Sequence, residues 1–211
     1  YIYNIGGLNM EKNDSKEILF SILGIFILVI LVIGVSFAAF SFSQTGEKTN
    51  TITTGIISMT YSEPNNGINL VNALPITDKQ GKVLSGTNNV FDFTVDTTIN
   101  GTGNTTINYA ITAVSSNSTV DDSAIKIYLT NMDDNADSEI LAPTKISSLT
   151  TTTGNEAYKA PSGEFILSSG TMNSSSSHKY RLRMWVADDY TDATGGSYAL
   201  KVNVYGAAAA L

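Results

Sequence analysis

The sequence predicts an all-β protein, an antiparallel β-sandwich of jelly-roll character that follows a single apolar N-terminal helix. Residues 18–40 form an uncharged apolar run. Beyond Phe40, apolar and polar residues alternate with a period of two, which is typical of strands with one buried and one solvated face. No stretch after Phe40 keeps a helical period over the roughly ten residues that a helix needs. We therefore expect two sheets packed face to face, with no helix covering them.

The run at residues 18–40 is long enough to cross a bilayer as one helix. A helix rises about 1.5 Å per residue, and the hydrocarbon core is about 30 Å thick. Lys12 and Lys16 precede the run, and this positive bias places the N-terminus in the cytoplasm. We expect a cytoplasmic leader at residues 1–17, a signal or transmembrane helix at residues 18–40, and an extracellular or cell-surface β-sandwich domain at residues 41–211.

The end of the apolar run leaves two fates open. Small residues at Ser36 and Ala38 fit the small-x-small pattern of a signal peptidase, with cleavage between Ala38 and Ala39. The run is also longer than the apolar core of a usual signal peptide, which favours a permanent anchor. The membrane is thus a partner through residues 18–40, either before cleavage or without it.

Composition narrows the partners and the chemistry. The formal net charge is −7 and there is no cysteine. An acidic domain repels phosphate backbones, so nucleic acid is not an expected partner. Without cysteine there are no disulfides, no thiol catalysis and no thiolate metal sites, so an exported domain must be held together by its core.

Alternating runs separated by turn residues are the strand candidates, eight or nine in all. The longer runs are Ile57–Tyr61, Phe91–Val95, Ile107–Ala113, Ile125–Leu129, Tyr180–Val186 and Tyr198–Val204. The shorter ones are Ile68–Ile76, Ile140–Ala142 and Phe165–Leu167. The Gly-rich turn at Asn100–Asn104 is expected to join the runs on either side of it as a hairpin.

The junction between leader and domain carries a family resemblance over residues 18–62. The leader ends in SFAAF at residues 36–40, a Thr/Asn-rich stretch follows at residues 44–54, and Gly55 opens an alternating strand. This pattern resembles the TasA/camelysin family of exported Gram-positive proteins, whose leaders are cut by a SipW-type signal peptidase. The resemblance implies a jelly-roll subunit. In the TasA branch it implies assembly into biofilm matrix fibres, with an N-terminal segment of one subunit added to the sheet of the next.

The segment at residues 39–54 points to assembly on physical grounds as well. It contains Phe40, Phe42 and Ile52 and has no nearby hairpin partner in the sequence. An unpaired extended segment can satisfy its backbone groups on an exposed sheet edge, either its own or that of a neighbour. Head-to-tail addition does not close, so it gives filaments. A simple tether, or pairing within its own domain, is the alternative.

No catalytic motif is found, so we expect a protein that is not an enzyme. His178 is the only histidine, which excludes a two-histidine zinc motif. The Gly-x-Ser-x-Gly motif is absent. Ser-x-x-Lys spacing occurs at Ser123/Lys126 and Ser176/Lys179, but both pairs lie at predicted strand starts and not on the helix that this motif needs.

We expect no cofactor, and the best metal candidate in the sequence is a calcium site. Asp133, Asn135 and Asp137 occupy the first, third and fifth positions of a calcium-loop spacing, and Glu139 adds a carboxylate. The glycine and the distal glutamate of such a loop are missing, and Thr144 stands where that glutamate is required. An acidic turn between strands explains the same residues.

One strand face carries Arg181, Arg183 and Trp185. It is either a patch for carbohydrate or protein, or, as we favour, an aromatic ring that covers part of the sheet between arginines in solvent.

The sequence thus predicts an exported structural subunit of an extracellular fibre or of a surface or biofilm matrix, self-associating into filaments by strand donation. The alternative is a membrane-anchored surface or virion-membrane protein with a β-sandwich binding ectodomain.

Overall fold

The chain divides into two compact units, Tyr1–Ala39 and Phe40–Leu211. The computed structural model describes residues 20, 22–27, 41–45, 50–54, 57–62, 67–86, 89–99, 106–116, 118–191 and 196–209. The described residues of the first unit are helical, and their side chains are exposed. No helix in the described part of the chain has both the length and the hydropathy to cross a bilayer. The rest of the run at residues 18–40, including the predicted cleavage site at Ala38 and Ala39, lies outside the described residues, as does the leader.

The second unit consists mainly of β-strands, as the alternating pattern predicts. The strands are β1 (Ser41–Thr45), β2 (Asn50–Thr54), β3 (Ile57–Ser62), β4 (Ile68–Val71), β5 (Pro75–Ile76), β6 (Val90–Ile99), β7 (Ile107–Ser116), β8 (Ile125–Asn131), β9 (Ser138–Lys145), β10 (Phe165–Met172), β11 (Ser176–Ala187) and β12 (Ser197–Ala208). One four-residue helix, α1 (Asp78–Gly81), and three short 3₁₀ helices, at Asp122–Ala124, Asp133–Asn135 and Ile146–Ser148, complete the described elements.

The strands form two sheets. In the first, called the β12 sheet, the order is β1-β12-β7-β10, and β4 also pairs with β12. In the second, called the β11 sheet, the order is β2-β3-β6-β11-β8-β9, and β5 also pairs with β11. All the described pairs are antiparallel except β5 with β11.

Both sheets contribute to one hydrophobic cluster. The β11 sheet supplies Phe91, Phe93 and Val95 from β6, where buried and solvent-facing positions alternate. The β12 sheet supplies Val202 and Val204, among others. Phe91 and Phe93 stack with a centroid distance of 5.6 Å, and burial of large apolar side chains of this kind is the main favourable term in folding.

The outer faces of the two longest strands are also covered, which the alternation does not predict. On β12, the loop at residues 150–164 brings Tyr158 and Ala160 against Ala110 and Tyr205, and these four form a second buried cluster. On β11, α1 places Gly81 directly against the indole ring of Trp185. A strand buried on both faces loses its polar alternation, and most of the β12 positions are accordingly buried.

This covering corrects the interpretation of the Arg181–Trp185 face. Trp185 is 1% exposed and Arg183 is 3% exposed, so neither forms a surface patch and Arg183 does not lie in solvent. Arg181 alone is half-buried and pairs with the exposed Asp92. The reason is the segment around α1, whose backbone carbonyl at Leu84 accepts a hydrogen bond from Arg183 Nε at 2.8 Å.

Two pairing predictions are wrong. The Asn100–Asn104 turn does not join a hairpin, because β6 lies in the β11 sheet and β7 in the β12 sheet. The segment at residues 39–54 does have a nearby hairpin partner, since β2 pairs with β3 in register from Asn50↔Tyr61 to Thr54↔Ile57. Turn residues predict that the chain reverses, but they do not determine which strand it pairs with.

Candidate functional site

The candidate site is one edge of β12, the long strand at the C-terminal end of the described chain. β7 covers one edge of this strand over ten paired positions. The opposite edge is shared by two short strands, β4 and β1, which lie end to end along it. β4 pairs with residues 197–200, and β1 pairs with residues 203–207. The most N-terminal strand of the domain thus lies beside one of its most C-terminal segments.

The pairing of β1 with β12 is antiparallel and regular. The register runs from Ser41↔Ala207 to Thr45↔Asn203 without a shift. Each strand satisfies backbone N–H and C=O groups of the other, and these groups would be unpaired on an open edge. The β12 residues opposite β1 are buried in this arrangement, so β1 completes both the hydrogen bonding and the packing of the β12 edge.

The structure separates the three residues predicted for strand donation. Phe42 lies in β1, opposite Gly206 of β12. Ile52 lies in β2, opposite Met59 of β3, and therefore belongs to the other sheet. Phe40 lies outside the described residues. Of the two described candidates, Phe42 is the one whose strand, β1, has the arrangement expected of a donor strand, a segment on the edge of a strand remote in sequence.

Behind this edge, a buried carboxylate connects β12 to its surroundings. Glu164 is 7% exposed. Its Oε1 accepts a hydrogen bond from Tyr205 Oη at 2.7 Å, and Asn203 Nδ2 lies 3.2 Å from both carboxylate oxygens. Thr112 of β7 donates its hydroxyl to Oε2. Glu164 thus joins β7, β12 and the covering loop at one point.

No local sequence signal identifies Glu164 in advance. It stands between Gly163 and a predicted strand, in a position that an exposed loop carboxylate would also occupy. Asn203 and Tyr205 resemble ordinary residues of an alternating strand. Only the fold of the 150–164 loop brings these side chains together.

Three of the four calcium candidates are engaged with separate partners, and the fourth is exposed. Glu139 pairs with Lys82 at 2.9 Å, and Asp137 makes a bidentate contact with Arg183 at 3.0 and 2.8 Å. Asp133 lies 2.7 Å from His178 Nδ1, and Asn135 is exposed. Among the described residues, no group of three acidic or histidine side chains converges on a point that could hold a metal ion. The calcium-loop spacing is therefore not matched by a converged set of ligands.

The electrostatics of this acidic stretch are those of hydrogen-bonded ion pairs. The hydrogen bonds from Arg183 hold the pKa of Asp137 below its ordinary value, with a smaller contribution from Thr130. Burial tends to raise the pKa of Asp133, but hydrogen bonds from His178, the Lys179 N–H and Asn131 outweigh it and lower that pKa. Carboxylates held in this way are ionised at neutral pH, and their oxygens already accept hydrogen bonds from these donors.

The β9 edge of the β11 sheet is protected by its own residues, whereas the β12 edge is covered by the added strands β1 and β4. β9 contains Pro143, which has no N–H to donate, and its pairing with β8 shifts register twice. Glu139 and Lys145 lie in the same strand and form ion pairs with Lys82 and Asp189. Proline, irregular pairing and charge all discourage a further strand from adding at an edge.

A polar groove of about 470 Å³ lies where β7 leads to β8. Serine hydroxyls and two carboxylates line most of it, namely Ser115, Ser116, Ser118, Asp121, Asp122, Ser123 and Ser147 with Val120. Tyr198 Oη donates to Asp122 at 2.6 Å, which connects the groove to the start of β12. His178 lies on β11, in the other sheet, where its ring contacts Asp133. It is not among the residues that line this groove.

Comparison of the chain with protein-family models, with curated proteins and with solved structures finds no match in any of the three.

Proposed function

We propose that this chain is an exported structural subunit of an extracellular fibre or surface matrix, built on a jelly-roll-like β-sandwich, and that subunits assemble by exchanging β1. The observation that supports this function best is the pairing of β1 with the edge of β12. β1 is short and terminal, and it lies in a different sheet from β2, which follows it.

Exchange requires no new contacts. The same register from Ser41↔Ala207 to Thr45↔Asn203 forms whether β1 comes from the same copy or from a neighbour. When β1 of each copy lies on β12 of the next, the contact is head-to-tail and does not close on itself, so filaments grow. Main-chain hydrogen bonds then supply affinity, as in other cases of strand addition.

The leader supports the export that this function requires. Residues 18–40 deliver the domain across the membrane, and cleavage between Ala38 and Ala39 would leave β1 only two residues from the new N-terminus. The resemblance of residues 18–62 to the TasA/camelysin family supports the same assignment, with a biofilm matrix as the setting.

A second function is favoured by the closed pairing itself. Because β1 lies on its own β12 in a single chain, the domain can also persist as a monomer. If residues 18–40 are retained, the protein is then a membrane-anchored surface or virion-membrane protein with a binding ectodomain. The mass of the protein from culture supernatant separates the two, since an N-terminus at Ala39 supports the fibre subunit and a retained leader supports the anchor.

Engineered cysteines test strand exchange directly, because the chain has none of its own. Ser41 and Ala207 are both small and directly opposed, so Ser41→Cys in one copy and Ala207→Cys in another place two thiols within disulfide geometry only when β1 pairs in trans. We expect mild oxidation of the mixture to give a covalent dimer, and neither variant alone to give it.

A matched control uses Ala199→Cys in place of Ala207→Cys. Ala199 lies in β12 but opposite β4, about 27 Å further along the strand at roughly 3.4 Å per residue, so no cross-link to Ser41→Cys is expected. The double variant Ser41→Cys/Ala207→Cys on one chain, oxidised as a monomer, locks β1 in place. Filaments in negative-stain micrographs of this locked protein would exclude β1 exchange.

A further inference from the structure

The side chains of Thr112 and Asn203 form a buried pair of reactive polar groups, a hydroxyl beside a carboxamide. They are directly opposed in the ladder between β7 and β12, and they are 0% and 2% exposed. Cβ atoms of directly opposed residues lie about 4.5–5.5 Å apart, so a hydroxyl and a carboxamide on such a pair are within reach of one another.

Glu164 contacts both members of this pair. Its Oε2 accepts a hydrogen bond from the Thr112 hydroxyl and lies 3.2 Å from Asn203 Nδ2. A carboxylate in this position can take a proton from an attacking oxygen and return it to a leaving nitrogen. All the hydrogen bonds to the Glu164 side chain in the described part of the chain come from neutral donors.

We propose that Thr112 and Asn203 form an intramolecular ester, with Glu164 as the proton carrier. Thr112 Oγ1 attacks Asn203 Cγ as Glu164 Oε2 takes the hydroxyl proton, and a C–O bond forms. The Asn203 Cγ–Nδ2 bond then breaks, and the proton passes from Glu164 to the nitrogen, which leaves as ammonia. No oxidant or reductant is needed, and Glu164 ends as it began.

A further observation favours this reaction at this place. The site is closed to solvent by the loop at residues 150–164, with Tyr158 and Ala160 packed beside Tyr205. Water is thus kept from the ester once it forms, and a chain without cysteine acquires a covalent link between the two best-paired strands of the β12 sheet.

Peptide mapping of the full chain by mass spectrometry tests the proposal. We expect a branched peptide that joins the Thr112 segment to the Asn203 segment, lighter than the sum of the two peptides by one ammonia. Mild alkali should cleave it into separate peptides. Full-mass peptides for both segments in the folded protein would overturn the proposal.

Matched variants identify the roles. Thr112→Val removes the nucleophile at nearly constant volume, and Glu164→Gln removes the base, so we expect loss of the branched peptide in both. Asparagine can also lose ammonia by closing on its own backbone, and an ammonia loss that persists in Thr112→Val would show that reaction and overturn the ester.

A purely structural role for Glu164 predicts a different result. If Glu164 only holds the loop at residues 150–164 against the sheet, the wild type has no branched peptide. Glu164→Gln then lowers the unfolding temperature and leaves the masses of the Thr112 and Asn203 peptides unchanged. That pair of results would also overturn the ester. The wild-type mapping needs no variant to fold, so misfolding of either variant leaves the test in force. The ester links β12 to β7 and not to β1, so its presence or absence is independent of strand exchange.

Discussion

Gly81 is the residue at which the covering segment meets the β11 sheet. A Cβ at this position would overlap the indole ring of Trp185, the only tryptophan in the chain. We expect Gly81→Ala to destabilise the fold, because overpacking costs about 1–3 kcal/mol while the entropy gain from replacing glycine is only about 0.4–1 kcal/mol. Urea unfolding followed by Trp185 fluorescence measures this. Gly86→Ala is the control, since a Cβ there meets no atom within 4 Å, and an equal loss in both variants would contradict the prediction.

Arg183 and Arg181 allow a comparison of two similar ion pairs at different depths. Both arginines contact an aspartate through two hydrogen bonds, but the side chain of Arg183 is 4% exposed and that of Arg181 is 26% exposed. We expect Asp137→Asn to cost about 1–3 kcal/mol, because it leaves a buried cation poorly paired. Asp92→Asn should cost about 0–1 kcal/mol, as surface pairs do. Chemical denaturation at neutral pH distinguishes the two, and equal losses would contradict the role of burial.

The Asp137 carboxylate also affects how the free energy of unfolding responds to acid. The hydrogen bonds from Arg183 place the pKa of Asp137 below its ordinary value of 3.8. As the pH falls, Asp137 is therefore protonated in the unfolded chain before it is protonated in the folded chain. Its contribution to the free energy of unfolding is complete above about pH 4 and is lost as the pH falls through the lowered pKa. We expect the free energy of unfolding to fall less steeply below pH 4 in Asp137→Asn than in the wild type. Parallel acid profiles would contradict this assignment.

At the scale of the element, α1 shows how a short helix is held on a sheet. Thr77 caps it, accepting a hydrogen bond from the Gln80 N–H while Gln80 Oε1 accepts one from the Thr77 N–H at 3.1 Å. Asp78 at its start contacts Lys126 of β8 at 2.8 Å. Four residues are too few for a helix to be stable alone, so its cap and its contacts with the sheet maintain it.

Removing the cap should loosen α1 locally. Thr77→Ala removes the side-chain acceptor, and loss of such a cap costs about 0.5–2 kcal/mol. We expect faster hydrogen exchange at the amides of residues 80–82. We also expect a soluble quencher to reduce the fluorescence of Trp185 more strongly than in the wild type. Lys79→Ala, at an exposed position of the same helix, is the control and should leave both unchanged. Unchanged exchange in Thr77→Ala would show that the contacts of α1 with the sheet hold the helix without the cap.

At the scale of the whole molecule, β1 and β12 contribute unequally. β12 is paired on both edges and is mostly buried, whereas β1 contributes five paired positions at one edge. We expect a chain without residues 41–45 to keep its strand content by circular dichroism, with a lower urea midpoint. A chain without residues 197–209 should not fold. An unfolded β1 deletion would contradict strand exchange, because exchange requires a domain that holds together while β1 is away.

Much of the fold could be predicted because its signal is local. Alternation at Phe91, Phe93 and Val95 marks β6 wherever the strand finally lies, since the period depends only on near neighbours in the chain. The burial of Arg183 and Glu164 could not be predicted, because it depends on contacts between segments far apart in the chain. Leu84 lies 99 residues from Arg183, and Thr112 and Asn203 lie 52 and 39 residues from Glu164. The sequence predicts the segment at residues 39–54 as one unit, but its two strands, β1 and β2, lie in different sheets.

Residue order is enough to predict that the domain is made of strands and that an apolar run precedes it, and it shows one histidine and no cysteine. Only the folded arrangement reveals that β6 and β7 lie in separate sheets, that β1 pairs with β12, and that Thr112, Glu164 and Asn203 meet. Side-chain periodicity is fixed by the geometry of one strand, whereas the choice of partner depends on how all the strands compete to bury their apolar faces and satisfy their backbone groups at once.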